Sequence, residues 1–278
     1  MTVMNATLET ATEVGEAHVY ALTLEYDGTG FSGWQRQPGR RTVEGELLLA
    51  LVAVTGEQPT LTAAGRTDAG AHAHGQVVGC PLSRVWDPDR LRLALNAVLP
   101  EDVAVVDAVR APRDFHARFD AVARSYRYVV SPRRDRRAIT RQYAWCVRGP
   151  LDVDAMRRAA RGLLGTHDFA GFGRSPRPGG STLRTVHDVA VRLVDAPEPF
   201  AGPAEPRGVV VIDVTADAFL YGMMRSIAGA LVAVGTGRLT EDAPAEMLER
   251  PAARRAGVAV APAHGLHQWR VTYRTDSP

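Results

Sequence analysis

No lysine occurs anywhere in the sequence, and all 33 basic residues are arginine. Positive charge therefore rests on the side chain best suited to bidentate phosphate contact and to stacking on bases. A compositional leaning toward Ala, Arg, Gly and Pro accounts for most surface arginines, so their placement says more than their number. Cysteine is scarce as well: Cys80 and Cys146 are the only two. They lack C-x-x-C spacing, which argues against a zinc site or a disulfide framework, and both read as buried small hydrophobes. His72-Ala73-His74 has no further Cys or His at ligand spacing nearby, so no metal site is expected. No apolar run is long enough to span a bilayer, and no charged-then-apolar signal peptide opens the chain, so a cytoplasmic location is expected. The phosphate loops G-x-G-x-x-G and G-x-x-x-x-G-K-[ST] are also missing.

What is present is the composition of a soluble globular protein. The 278 residues, 45% hydrophobic and 23% charged, suffice for one large or two modest domains. Residues 1–17 hold three of the 31 acidic residues and no basic one, leaving 33 arginines against 28 acidic residues in the remainder. That segment has no hydrophobic period and reads as a disordered tail. Alternation at Tyr20, Leu22, Leu24 and Tyr26 predicts a strand. Thr42 predicts a cap for a helix carrying Val43, Leu47, Leu48, Leu51 and Val54, stopped by Gly56. Asp87-Pro88 opens a second helix to about Val98, and Asp152 a third running to Leu164.

Further strands are expected over 75–80, 103–109, 122–130, 183–194, 209–215 and 267–273, with a proline-rich joint between Asp195 and Gly208. A Gly- and Ala-rich buried helix is expected over 219–234, and a short one near Pro244–Leu248. Strands arrive in neighbouring pairs separated by single helices. That order favours an α+β fold of the α/β sandwich type, with mostly antiparallel sheets and helices on one side. A boundary inside Ala111–Ala121 would divide it into domains of residues 18–115 and 116–278.

The stretch Ala64-Gly65-Arg66-Thr67-Asp68-Ala69-Gly70-Ala71-His72-Ala73-His74-Gly75-Gln76 has no apolar period and reads as a loop pinned between two short strands. Arg66 and Asp68 lie close enough for each to sit in the other's field, and an opposite charge within about 4–6 Å favours the charged carboxylate. An ionised carboxylate on a loop can act as a nucleophile. Thr-Asp-Ala-Gly is equally good turn chemistry.

Two arginine features stand apart from the composition. Residues 124–141 contain seven arginines against one aspartate, a hairpin whose tip carries Arg133, Arg134, Arg136 and Arg137. Such a run is either a solvated face or a phosphate-tracking surface. Arg225 sits among Met223, Met224, Ile227 and Leu231, where an unpaired guanidinium would cost several kcal/mol or more, so it needs an anion. Asp68 is the expected partner.

Together these segments resemble the TruA-type tRNA pseudouridine synthases. The matches are Glu25-Tyr26-Asp27-Gly28 with Gly33-Trp34-Gln35-Arg36-Gln37, Gly65-Arg66-Thr67-Asp68-Ala69-Gly70, Phe115-His116-Ala117-Arg118-Phe119, Arg124-Ser125-Tyr126-Arg127-Tyr128, Met224-Arg225, and Gly265-Leu266. The resemblance implies cofactor-free isomerisation of uridine to pseudouridine at positions 38, 39 and 40 of the tRNA anticodon arm. It also implies a homodimer of two-domain subunits with the catalytic cleft between the domains. Asp68 falls on the family's catalytic aspartate, with Arg66, Arg225 and Leu266 supporting it. Tyr126, His116 and Arg118 fall on substrate contacts, and the four hairpin arginines are expected to meet phosphate. Ala71 and Gly222 depart from the family pattern. A non-catalytic RNA-binding module and a hydrolytic nucleosidase are the competing functions.

Overall fold

The period of two at the start of the chain is obeyed: β1 (His18–Tyr26) buries Tyr20, Leu22, Leu24 and Tyr26 and turns Ala21, Thr23 and Glu25 the other way. The computed structural model describes residues 17–132, 138, 140–195, 208–249 and 259–274. Apart from Ala17, the expected tail lies outside the described residues, as do residues 133–137, the tip of an expected hairpin, and residues 196–207 of the expected proline-rich joint.

The helices begin where their caps dictate. Thr42 Oγ1 accepts from Gly45 N to open α1 (Val43–Thr55), and Asp87 accepts from Arg90 N to open α2 (Pro88–Asn96). Asp152 accepts from Ala155 N at α3 (Val153–Arg161). Each cap contributes about 0.5–2 kcal/mol. α3 stops at Gly162, short of the expected Leu164, because the chain turns to form an edge strand, β7, at Gly165–Asp168. The buried helix also differs from expectation. It is α4 (Met223–Gly235), not a helix from Phe219, because Gly222 takes φ +76° and Tyr221 pairs with Arg174 in a bridge. α5 (Ala243–Glu249) follows.

The remaining strands are β2 (Thr62–Ala63), β3 (His72–Leu82), β4 (Val103–Arg110), β5 (Ala121–Pro132), β6 (Trp145–Val147), β8 (Leu183–Asp195), β9 (Gly208–Ala216) and β10 (Leu266–Tyr273). All of them share one sheet in the order β4-β1-β3-β10-β5-β9-β8-β7, with β2 added on β3 and β6 on β5. Pairing is antiparallel except at the β3·β10 seam, where His267 faces His72 and Gln268 faces Ala73, and at β5·β6, where the parallel return rules out the hairpin expected after β5. The β3·β10 seam draws His72, Ala73 and His74 into a strand, where the sequence placed them in a loop.

Each half has its own core. Leu22, Leu24, Leu47, Leu51, Leu91 and Leu95 pack together in the first, and Met156, Phe169, Phe172, Ile212, Ile227 and Leu231 in the second. Register carries the buried side from Leu24 and Gln76 across Ala73 and Gln268 to Tyr126. Both groups of helices therefore cover the same face of the sheet, and the space between them becomes a cleft. On the opposite face, Phe115 and Ala117 pack with Ala21, Val77, Val271 and Tyr273. Of the two cysteines only Cys80 is buried, and burial pushes its thiol up to about 12. Cys146 is exposed, contrary to expectation, because β6 is a three-residue addition to the sheet whose burial alternates along the strand.

Candidate active site

Asp68 stands at the end of a loop that the rest of the first half clamps in place. Ala64 N bonds Val77 O, Gln76 Nε2 donates to Gly65 O at 2.6 Å, and Trp34 N donates to Thr67 O. The Tyr26 hydroxyl meets Thr67 Oγ1 at 2.8 Å, buried. A Cβ on Gly28 would lie 1.9 Å from Ala71 O, and one on Gly33, already at φ +93°, would lie 2.9 Å from Thr67 O. Both positions need glycine because another backbone passes there. This explains why Tyr26-Asp27-Gly28 and Gly33-Trp34 accompany the Asp68 loop: they form its seat.

The second half supplies the counter-ion. Arg225, on the first turn of α4, places Nη1 2.6 Å from Asp68 Oδ2, with both side chains about one-fifth exposed. Its Nε donates to Ala261 O at 2.7 Å, and Ala261 N donates back to Arg225 O, so the guanidinium is aimed by the backbone beside it. The pairing expected of Arg225 is therefore present. Arg66 is exposed and lines the cleft; among the described residues it forms no ion pair. Its nearness to Asp68 in sequence does not become a salt bridge; the carboxylate pairs with Arg225 instead.

The cleft has a volume of about 1070 Å³ and is lined from both halves, including Asp68, Arg66, Tyr126, Arg225, His116, Arg118 and Leu266. Tyr126 packs edge-on against Phe219 with ring centroids 4.7 Å apart. Burial pushes its hydroxyl up to about 12, so it remains a protonated donor at neutral pH. Leu266 is buried at the cleft floor. Tyr128 donates to Pro262 O at 2.7 Å and so seats the turn that delivers Leu266. His116 Nδ1 accepts from the backbone N–H groups of Arg118 and Phe119, which places the proton of the neutral ring on Nε2. Glu44 also lines the cleft, but its carboxylate accepts from Arg36 N at 2.6 Å and from Gln35 Nε2.

Some of the arginine run proves to be internal. Arg124 is buried and donates to the carbonyls of Ala64, Arg118, Ala121 and Asp217. It ties the Asp68 loop, the connector between the halves and the second half to one guanidinium, and burial pushes its pKa down. Arg127 pairs with Asp213 at 2.7 Å and covers the ring of Trp269. Neither is available for phosphate, and the sequence alone gave no sign of it. Arg133, Arg134, Arg136 and Arg137 lie outside the described residues.

Sequence reasoning also missed a buried amide pair beneath the loop. Gln268 Nε2 donates to Gln76 Oε1 at 3.1 Å, with both residues fully buried, and Gln76 in turn holds Gly65 O. No local signal marked it, since both strands, His72–Leu82 and Leu266–Tyr273, carry other polar side chains. Among the described residues no group of three or more His, Cys, Asp or Glu side chains is arranged to hold a metal ion. No described helix is long and apolar enough to cross a membrane.

A family model described as tRNA pseudouridine synthase matches residues 23–120 and 159–274. The chain is 43% identical over 256 residues to a tRNA pseudouridine synthase A of Roseiflexus castenholzii, covering 92% of this chain and 91% of that protein. It is 42% identical over 254 residues to the protein of the same name from Moorella thermoacetica, covering 91% and 98%. Among solved structures, a chain of the archaeal box H/ACA sRNP Nop10-Cbf5 complex aligns with a TM-score of 0.37 at 11% identity, covering 80% of this chain and 45% of that one.

Proposed function

This chain belongs to the tRNA pseudouridine synthase family, and from that premise we propose that it isomerises uridine to pseudouridine at positions 38, 39 and 40 of the tRNA anticodon arm, with Asp68 as nucleophile. The observation that carries this is the Asp68–Arg225 pair at 2.6 Å, set in a cleft lined with arginine and aromatic side chains. The reaction breaks the N1–C1′ bond of uridine, turns the base and joins C5 to C1′. N1 gains a proton and C5 loses one, so nothing is consumed. One carboxylate at the ribose suffices, whereas two-carboxylate glycoside hydrolysis needs a second acid. The other carboxylate of the cleft, Glu44, is engaged by the backbone of Arg36.

A uridine within a stem must leave the stack, at a cost of a few kcal/mol. Tyr126 offers the extruded base a ring to stack on and a hydroxyl to bond, and Leu266 helps keep water from the detached base. Arg225 neutralises the carboxylate and, coming from the other half, completes a site begun in the first. Residues 18–115 and 116–278, each with its own core, act as two domains walling the cleft. His116 and Arg118 contact substrate at its edge, and Arg133, Arg134, Arg136 and Arg137 track phosphate. The resemblance to the TruA type further supports a cytoplasmic homodimer that needs no cofactor.

Incubating the protein with unmodified tRNA transcripts and mapping the products tests this. Pseudouridine at positions 38–40 is expected, and Asp68→Asn should abolish it while leaving tRNA binding intact. Free uracil would indicate a hydrolase, and bound but unchanged tRNA a binding module. Pseudouridine formed by Asp68→Asn at near wild-type rate would exclude Asp68 as nucleophile.

A further inference from the structure

Two large aromatic side chains stand in water at the mouth of the cleft. Phe119 is 66% exposed and Tyr221 57% exposed, and both line the cleft. Single exposed rings are ordinary on a protein surface, but these two are firmly mounted. Phe119 N donates to His116 O, and the His116 ring lies against the Phe119 ring with centroids 4.3 Å apart. Tyr221 is held by reciprocal backbone hydrogen bonds with Arg174. Each ring also has a guanidinium beside it: Arg118 Cζ is 5.7 Å from the Phe119 centroid, and Arg174 Cζ is 5.3 Å from that of Tyr221.

The rings stand on separate segments of residues 116–278, and only that of Phe119 is fastened to the Asp68 loop and the strand before it. Phe119 sits on the connector, held there through Ala117 N to Thr62 Oγ1 and through Arg124 to the carbonyls of Arg118 and Ala64. Tyr221 precedes α4, four residues before Arg225. Core packing explains neither ring. A flat apolar face beside a cation at each lip suits a nucleobase with its phosphate. It suits unpaired nucleotides in particular, because a duplex hides its base faces.

We propose that Phe119 and Tyr221 are paired stacking platforms for the nucleotides flanking the extruded uridine. Drawing the target toward Asp68 deprives its neighbours of a stacking partner, and the two rings replace that partner, one beside the Asp68 loop and one ahead of α4. This rests on the RNA-modifying function proposed above and adds a binding subsite to it.

The test uses the full chain and tRNA transcripts carrying 2-aminopurine next to a target uridine, with affinity measured over a range of salt concentrations. Wild-type protein should quench the 2-aminopurine by stacking. Phe119→Leu and Tyr221→Leu keep apolar volume and remove the ring. Each should relieve quenching and weaken binding about tenfold, without changing the slope of affinity against salt, since no phosphate contact is removed. Phe119→Trp and Tyr221→Phe should behave as wild type. Leucine variants that bind and quench as wild type, or that weaken binding only through a shallower salt slope, would overturn the platforms. Quenching is read without turnover. A wild-type protein that quenches but makes no pseudouridine would therefore overturn the proposed reaction and support the platforms, whereas full turnover with unaltered leucine variants would overturn the platforms alone.

Discussion

Arg225 and Asp68 are 157 residues apart in the chain and touch at 2.6 Å, one carried by a helix and the other by a clamped loop. Removing one member of such a pair leaves the other desolvated and uncompensated. For fully buried pairs the loss is about 3–5 kcal/mol, and partial exposure here reduces it. Arg225→Ala should therefore lower single-turnover pseudouridine formation by orders of magnitude and also lower the urea midpoint. Arg225→Lys should recover part of both, because the charge survives and the planar fork does not. Equal activity in all three proteins would show that the ion pair serves stability alone.

The glutamine pair beneath the loop should act as one unit. Gln76→Met removes the donor to Gly65 O and should cost about 1–3 kcal/mol, with slower turnover and unchanged tRNA affinity. Gln268→Met should do less by itself, since it reaches the loop only through Gln76. If the two form a relay, the double variant loses little more than Gln76→Met does. Strictly additive losses in a double-mutant cycle would show that they act separately.

Stability should fall in mild acid. His267 is buried, its Nε2 donating to Tyr143 O at 3.0 Å, with His72, His74 and Arg127 close by. Burial above all pushes its pKa down to about 3, outweighing the opposing hydrogen bond to Tyr143 O, with His72, His74 and Arg127 acting in the same direction as burial. The unfolded chain binds the proton near the ordinary value of about 6.5. Between those two values the unfolded state holds more protons, so stability rises with pH. The contribution is complete above about pH 6.5 and drains away as the pH falls toward 3. His267→Gln should flatten that limb in urea titrations at successive pH values. An unchanged slope would place the acid sensitivity elsewhere.

Replacing two of Arg133, Arg134, Arg136 and Arg137 with glutamine should weaken tRNA binding and reduce its salt slope by about one unit per lost phosphate contact. Pseudouridine formation at saturating tRNA should change little. An unchanged slope would identify these arginines as ordinary solvated surface.

Features written in local chemistry were legible in the sequence. Thr42, Asp87 and Asp152 cap their helices because a side chain needs to reach only three residues along. The partner of Arg225 was also within reach, since a cation on so apolar a helix demands an anion. Contacts between segments distant in the chain were not legible. Nothing near His72 announces that it will face His267 across a parallel seam. Nothing in an arginine-rich run separates Arg124, closed in by four carbonyls, from arginines free to meet phosphate. Gln76 and Gln268 are unremarkable until the sheet brings together residues 192 apart.

The place of β10 in the sheet bears on how the protein is made. It is the final described strand in chain order, yet it lies between β3 and β5, with three neighbours of the path on one side and four on the other. During synthesis the first half emerges with the His72–Ala73 end of the inner edge of β3 unpaired, beyond the short cover of β2, and β5 emerges with the edge that β10 will take open from Ala121 to Tyr128. Neither can be covered until nearly all the rest of the chain has left the ribosome. An open strand edge invites pairing with other chains, and such long-range closure is slow. A nascent chain therefore passes through an aggregation-prone interval, and it has no assembled cleft for RNA until β10 seals the two halves.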